Sequence, residues 1–177
     1  RKPIPARASA FVHDVTSKLM AGHGDSVPVS QLPVDGTWPL GTAAYEKRQL
    51  ATTLPVLEPD LCIQCGKCAF VCPHSAIRSK VFDPALLDGA PEDFRHATVV
   101  GTEFKKGMAI TYQVAPEDCT GCTLCVMVCP AKDKSNPKHK AIDMVPQPPI
   151  RERERAGFEF FLGLPEPDRT AVKMDVK

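Results

Sequence analysis

Eight cysteines form two groups with the same internal spacing. The first group lies in LCIQCGKCAFVCP, residues 61–73, and the second in DCTGCTLCVMVCP, residues 118–130. Each member of the first group has a counterpart 57 residues further on: Cys62, Cys65, Cys68 and Cys72 correspond to Cys119, Cys122, Cys125 and Cys129. The two groups account for all eight cysteines, so one chemistry should explain every thiol in the chain.

Three chemistries use closely spaced cysteines. Disulfides would close several cramped rings, and no secretion signal precedes the groups. A structural zinc ion usually takes two separated C-x-x-C pairs, whereas each group here has three cysteines three residues apart and a fourth before proline. The run C-x₂-C-x₂-C-x₃-C-P is typical of bacterial two-cluster ferredoxins, so it favours iron–sulfur ligation.

The spacing also predicts the shape of each cysteine loop. Three cysteines within seven residues can wrap one cubane cluster, and Gly66 and Gly121 supply the conformational freedom for a tight curl. Loop amides can then point at the cluster sulfides. Proline after the fourth cysteine favours an extended backbone there, which directs that sulfur away from the first three.

The resemblance to two-cluster ferredoxins implies a crossed set of ligands, because the fourth cysteine of each run binds the other cluster in that class. The first [4Fe-4S] site would use Cys62, Cys65, Cys68 and Cys129, and the second would use Cys119, Cys122, Cys125 and Cys72. Each cluster would then join both halves of the repeat and contribute folding energy. The chain needs such a contribution, because 18 prolines and eleven aromatic residues predict a modest apolar core.

The repeat extends beyond the cysteines. LEPDLC precedes the first group and VAPEDC the second, each after a β-prone stretch at 54–57 or 110–114. Ala76-Ile77 is echoed by Ala141-Ile142. We therefore predict an α+β fold: a bacterial dicluster ferredoxin-like core with a pseudo-two-fold strand–loop–helix–strand repeat. Among the apolar residues near the cysteines, we expect the following to shield the clusters from water: Ile63, Phe70, Val71, Val126 and Val128.

The chain divides into three predicted parts. Residues 1–53 form an extended, largely irregular N-terminal arm that ends with YEKR at 45–48. Residues 54–147 form the ferredoxin-like domain, with insertions at 79–109 and 131–139. Residues 148–177 form a C-terminal docking tail, whose apolar run suggests docking onto something larger: Phe158, Phe160, Phe161, Leu162 and Leu164.

Longer segments give a more specific resemblance. Besides the cysteine runs, they are PVSQLPVDGTWPLGT, GTAAYEKR and FEFFLGLPEPDR. From about residue 22 onward, the chain resembles the iron–sulfur region of pyruvate:ferredoxin (flavodoxin) oxidoreductase, and Tyr45-Glu46-Lys47-Arg48 is similar to that family's EKR segment. Because the chain begins with Arg1, we expect it to be a piece of a longer polypeptide.

The resemblance implies a role in a large homodimeric enzyme. That family uses thiamine diphosphate to decarboxylate a 2-oxoacid to an acyl-CoA, and electrons leave through three [4Fe-4S] clusters to ferredoxin or flavodoxin. This chain would hold the two clusters nearest the exit. It has no thiamine-binding motif and no cysteines for a third cluster, so we expect it to carry electron transfer alone, without catalytic residues.

Two other functions remain open: a free-standing dicluster ferredoxin-type electron carrier and a zinc-dependent interaction module. The long arm, the insertions and the tail favour the relay domain over the carrier. The formal charge of +1 does not favour nucleic acid as a partner. The sequence contains no run of about 18 apolar residues, so it predicts no membrane span. We expect a cytoplasmic location.

Two features near the cysteines have alternative interpretations. Lys132, Lys134, Lys138 and Lys140 could steer an acidic ferredoxin or flavodoxin toward a cluster, or could form an ordinary solvated loop. His74 could donate a hydrogen bond toward a cluster sulfur, or could simply be exposed.

Overall fold

A computed structural model of the protein describes residues 4–173. These residues divide into two compact units, 4–49 and 50–173. Residues 4–49 lie within the range predicted for the arm, and residues 50–173 contain both cysteine groups.

The first unit begins with a short helical segment, π-helical over Val12–Thr16 and α-helical over Ser17–Met20 (α1). Its start is capped by Ser9, whose Oγ accepts a hydrogen bond from the Val12 N–H at 3.4 Å. Val12 and Val15 are each 1% exposed, so this segment has a buried face. Three single 3₁₀ turns follow: Gly24–Ser26, Val29–Gln31 and Thr42–Tyr45.

The second unit mixes short strands with short helices. Its strands are β1 Thr53–Leu57, β2 Ile77–Phe82, β3 Ala97–Thr98, β4 Ala109–Val114 and β5 Ile142–Pro146. Its helices are α2 Lys67–Val71, α3 Leu124–Val128 and α4 Arg151–Gly163, with 3₁₀ turns at Pro84–Leu87 and Arg169–Ala171. This content agrees with the predicted α+β class.

The strands interlock the two halves of the second unit. β1 pairs antiparallel with β5, so that Leu57 lies opposite Ile142. β2 pairs antiparallel with β4, which also pairs with the edge strand β3. The strand after the first cysteine loop therefore joins the strand before the second, and the first and last strands of the core join each other.

The main core of the second unit lies where the two cysteine groups meet. Its buried apolar residues come from the strands of both sheets: Leu57, Ile77, Tyr112, Val114 and Ile142. Cys68 and Cys125 are buried in the same cluster. Helices α2 and α3 contact each other, so each cysteine group packs against residues of the other half.

The C-terminal tail packs on the chain's own sheet. Helix α4 contacts β4, and Phe161 and Leu164 are buried in a second apolar cluster with Phe82 and Phe94. The expectation of docking onto a larger surface is therefore corrected for these two residues. The physical reason is that β2 and the insertion after it provide an apolar face that the tail covers.

A charged pair fixes the same helix to the insertion. Arg95 donates from Nη1 to both carboxylate oxygens of Glu154, at 2.9 and 3.1 Å. Glu154 is only 3% exposed, and Arg153 at the surface also contacts it. A buried carboxylate is costly without a partner, so the fold needs Arg95 beside Glu154. The pair thereby holds helix α4 against the insertion, across 59 residues of sequence.

Candidate cluster-binding site

Each cysteine loop leads into a five-residue helix that ends at the fourth cysteine. Helix α2 follows Gly66, which has a left-handed backbone (φ +70°), and stops at Cys72 with an extended backbone (φ −64°, ψ 112°). Helix α3 stops in the same way at Cys129 (φ −66°, ψ 119°). The predicted effect of the following proline is confirmed at both positions.

The first of two cavities lined by four cysteines draws on both cysteine runs. Its sulfur-bearing residues are Cys62, Cys65, Cys68 and Cys129, and apolar walls come from Leu57, Ile63, Tyr112 and Ile142. Three of the four cysteines belong to the first run, and the fourth comes from the second.

The second cavity has the reciprocal composition. Its sulfur-bearing residues are Cys119, Cys122, Cys125 and Cys72, with walls from Pro55, Ile77 and Met144. The structure thus brings the eight predicted site residues together in two sets of four, and each set draws one member from the other run.

Burial and mutual proximity disfavour negative charge on four of the eight sulfurs, two in each cavity. Burial raises the pKa of Cys68 to about 12 and that of Cys125 to about 11. The pKa of Cys62 is raised chiefly by burial and also by the nearness of Cys129, and that of Cys119 chiefly by burial and also by Cys72. A cationic centre between the sulfurs would favour the thiolate form of these buried cysteines.

Backbone amides already point at several of the sulfurs. The N–H of Gln64 donates to Sγ of Cys62 at 3.3 Å, and the N–H of Gly121 donates to Sγ of Cys119 at 3.4 Å. The N–H of Ala76 donates to Sγ of Cys72 at 3.3 Å. Such amide–sulfur bonds favour the thiolate form, which is the form that binds metal.

The donor set fits an iron–sulfur cluster, since four thiols per cavity are the ligands that a four-iron cluster takes. In such a cluster each cysteine sulfur binds a different iron. The four cysteine sulfurs therefore surround the cluster and do not converge on one point. Within residues 4–173, no three His, Cys, Asp or Glu side chains form a group able to hold a single metal ion.

Sequence reasoning missed two left-handed residues in these loops. Gln64 (φ +57°) and Thr123 (φ +65°) share this conformation with Gly121 (φ +71°) and Gly66 (φ +70°). The two runs align with Gln64 opposite Gly121 and Gly66 opposite Thr123. Each loop thus needs the conformation twice but has glycine once, a signal that the alignment of the two runs could have revealed.

Neighbouring residues differ from expectation in part. Phe70 is 95% exposed, so the expected shielding role is wrong for this residue: its side chain faces outward from α2. Tyr112, which sequence reasoning missed, is buried beside the first cavity instead. His74 lines the second cavity but is exposed.

The four lysines near Cys129 have different environments. Lys132, Lys134 and Lys138 are exposed. Lys140 is half-buried, and its Nζ donates to the carbonyls of Val126 at 2.5 Å and Met127 at 3.2 Å. Lys140 therefore caps the C-terminal end of α3. It is not an ordinary solvated lysine.

Comparison with known protein families agrees with this geometry. Residues 1–51 match the EKR family, described as a domain of unknown function. Residues 61–132 match the 4Fe-4S dicluster domain, a range that includes every cysteine. The chain combines an EKR domain with a 4Fe-4S dicluster domain. The dicluster domain therefore corresponds to the ferredoxin-like core predicted from the cysteine spacing.

Curated relatives match the EKR and dicluster domains together. The chain is 51% identical over 175 residues to a pyruvate-flavodoxin oxidoreductase of Nostoc sp., covering 99% of this chain and 14% of the relative. It is 47% identical over 179 residues to a probable pyruvate-flavodoxin oxidoreductase of Escherichia coli, covering 100% and 15%. A pyruvate:ferredoxin oxidoreductase of Moorella thermoacetica is 44% identical over 156 residues, with coverage of 88% and 13%.

These matches confirm the predicted resemblance across the chain. The chain matches the 4Fe-4S dicluster region of pyruvate-flavodoxin oxidoreductases, and it spans about 14% of the length of these relatives. Among residues 4–173, none of the helices has the length and apolar character needed to cross a membrane.

Proposed function

We propose that this chain is the electron-relay domain of a 2-oxoacid oxidoreductase whose substrate is pyruvate. The observation that carries the proposal is the pair of four-cysteine cavities on either side of one shared apolar core. A [4Fe-4S] cluster bound in each cavity would supply one-electron chemistry at low potential. The chain's own residues hold the sulfurs and fix the distance between the two sites.

The proposed ligand sets are crossed. Cys62, Cys65, Cys68 and Cys129 hold the first cluster, and Cys119, Cys122, Cys125 and Cys72 hold the second. The support is that each set lines its own cavity and that amides already donate to three of the eight sulfurs. Helices α2 and α3 at the same offset of 57 residues support a pseudo-two-fold relation between the halves.

Buried apolar side chains of one shared core line both cavities. Leu57 and Ile142 wall the first cavity, Ile77 walls the second, and all three are buried in the shared core. Cys68 and Cys125, one from each set, are also buried there. An electron crossing between the sites would therefore pass through the buried residues of this core.

We place the relay within a larger enzyme, as the names and lengths of the relatives suggest. The three proposed parts are an N-terminal arm at 1–53, a dicluster domain at 54–147 and a C-terminal tail at 148–177. The rest of the parent enzyme, a homodimer in the cytoplasm, would hold thiamine diphosphate and a third cluster. The acceptor would be flavodoxin or ferredoxin.

Anaerobic reconstitution tests this proposal. The chain should bind roughly eight iron and eight sulfide ions, and the product should undergo one-electron reduction at each cluster. Cys129→Ser and Cys72→Ser should each halve the iron content. Alkylation followed by mass spectrometry should then show Cys62, Cys65 and Cys68 exposed in Cys129→Ser, and Cys119, Cys122 and Cys125 exposed in Cys72→Ser.

Other results would overturn the proposal. Bound zinc without sulfide would indicate an interaction module with no redox role. If Cys129→Ser instead exposed Cys119, Cys122 and Cys125, each run would complete its own site, and the crossed ligand sets would be wrong.

A further inference from the structure

The side chain of Gln64 bridges the first cysteine loop and the insertion. Its Nε2 donates to the carbonyl of Thr98 at 2.7 Å, and its Oε1 accepts from the N–H of Val100 at 2.9 Å. The partners are backbone groups 34 and 36 residues away. The side-chain amide of Gln64 thus bonds one backbone carbonyl and one backbone N–H of the same segment, as a neighbouring strand would.

These backbone groups form the outer edge of the sheet. Strand β3 pairs with β4 through its other edge, and the N–H of Val99 donates to the carbonyl of Met108 at 2.9 Å. Successive backbone groups alternate between the two edges of a strand, so those of Thr98 and Val100 face away from β4. Gln64 therefore occupies an edge that would otherwise be unpaired.

The bridged segment lies directly beside the first site. Cys62 and Gln64 line a small cavity together with Arg95, His96 and Ala97 of the insertion. The insertion therefore forms a wall next to a sulfur of the first set. Loosening that wall would bring water to this side of the first site.

The second loop has no such bridge, because the position equivalent to Gln64 is Gly121. A Cβ at Gly121 would lie 3.5 Å from Cβ of Ala51 and 3.6 Å from the carbonyl oxygen of Thr53. The second loop is thus covered closely by the backbone before β1, without a side-chain bridge. The two sites differ at the same loop position.

We propose that Gln64 is a positioning residue that fastens the inserted strand over the first cysteine loop and shields the first cluster alone from solvent. The inference rests on the proposed function for its effect on the cluster, whereas the bridge itself does not. Because solvent exposure is one determinant of cluster potential and stability, Gln64 would make the two clusters unequal.

Gln64→Gly is the sharpest variant. Glycine accepts the left-handed backbone without strain and copies Gly121, so only the side-chain bonds are lost. Val100→Pro breaks the bridge from the other side by removing its N–H, and Val100→Ala is the matched control that retains it. The double variant Gln64→Gly/Val100→Pro should add little to either single change, because both remove the same interaction.

Hydrogen exchange tests the bridge without reference to clusters. In Gln64→Gly, the Val100 amide should exchange about tenfold faster, as expected for loss of a hydrogen bond in a segment that opens locally. Val100→Ala should leave exchange in this segment unchanged. Unaltered exchange at residue 100 in Gln64→Gly would overturn the bridge.

Chelator-driven iron loss from the cluster-loaded chain tests the shielding. In Gln64→Gly and Val100→Pro, half of the iron should leave about tenfold faster than in wild type, and alkylation should mark Cys62, Cys65, Cys68 and Cys129 first. The midpoint potential of that one cluster should become more positive, whereas a general loss of stability would affect both. Equal acceleration of iron loss from both clusters would overturn the shielding.

A wild-type chain that binds no iron and sulfide would overturn the proposed function, while the exchange experiment would still decide the bridge.

Discussion

The ammonium group of Lys80 donates a hydrogen bond to the carbonyl of Leu164 at 2.7 Å, although both residues are buried. The same Nζ reaches the carbonyl of Phe161 at 3.3 Å and the carboxylate of Glu166 at 3.0 Å. Carbonyls at the end of a helix lack partners within it. Lys80 of β2 therefore fastens the C-terminal end of α4 to the sheet.

We expect Lys80→Met to destabilise the protein by about 2 kcal/mol, because methionine keeps most of the apolar stem but leaves the buried Leu164 carbonyl without its donor. Denaturant unfolding of the cluster-loaded chain under anaerobic conditions would measure this. Lys105→Met changes an exposed lysine and is the matched control. Equal stability of the two variants would show that the Lys80 bonds contribute nothing.

Replacing Thr123 by glycine should stabilise the second loop. A β-branched residue is strained at φ +65°, and the equivalent position in the first loop is already glycine. Since the strain of about 1–2 kcal/mol exceeds the entropy cost of glycine, we expect the Tm to rise by about 2 °C. Gly66→Ala introduces the same strain in the first loop and should lower the Tm. A lower Tm for Thr123→Gly would contradict this account.

His139 should give the insertion at 131–139 a pH-dependent contact. Its Nε2 lies 2.7 Å from Oε1 of Glu58, and this hydrogen bond, with nearby carboxylates, raises the pKa of His139 above 6.5. A raised pKa means that the contact stabilises the fold fully below pH 6.5 and fades as the pH rises through the folded-state value.

Thermal unfolding between pH 6 and 9 would test this. The Tm difference between wild type and His139→Gln should be largest at the acid end and should shrink with rising pH. Glu58→Gln should reproduce the effect, because it removes the charged partner. A difference that stays constant with pH would show that the ionised pair does not contribute.

The exposed lysines of the same insertion give a functional prediction. If Lys132, Lys134 and Lys138 steer an acidic acceptor, changing all three to glutamine should slow reduction of flavodoxin by the chemically reduced chain several-fold at low salt. The difference should shrink near 0.15 M salt, where charges are screened over about 8 Å. Stopped-flow absorbance would measure the rate.

Two exposed lysines of the other insertion, Lys105 and Lys106, provide the control. Changing both to glutamine should leave the rate unaltered if steering depends only on the lysines of the insertion at 131–139. Lys140 is kept unchanged in both variants, because its bonds to α3 would confuse steering with stability. Equal rates for all three proteins at low ionic strength would exclude steering.

Local features of the site could be predicted because they depend on short stretches of chain. The three-residue spacing, the glycines and the prolines dictate a tight loop, one helical turn and an extended fourth cysteine. The β-prone stretches before each run became β1 and β4 for the same local reason. The structure of the insertion at 79–109 was harder to predict from the sequence. Its two-residue strand β3 forms only by pairing with β4.

The sequence by itself determined that eight thiols stand in two equal sets, each with three sulfurs in a tight loop and a fourth directed elsewhere. Only the tertiary structure decided which distant groups close around those sets. Gln64 meets Val100 across 36 residues, and Lys80 meets Leu164 across 84. Such contacts leave no periodic trace in the sequence, because they depend on where whole elements pack and not on the spacing within any one of them.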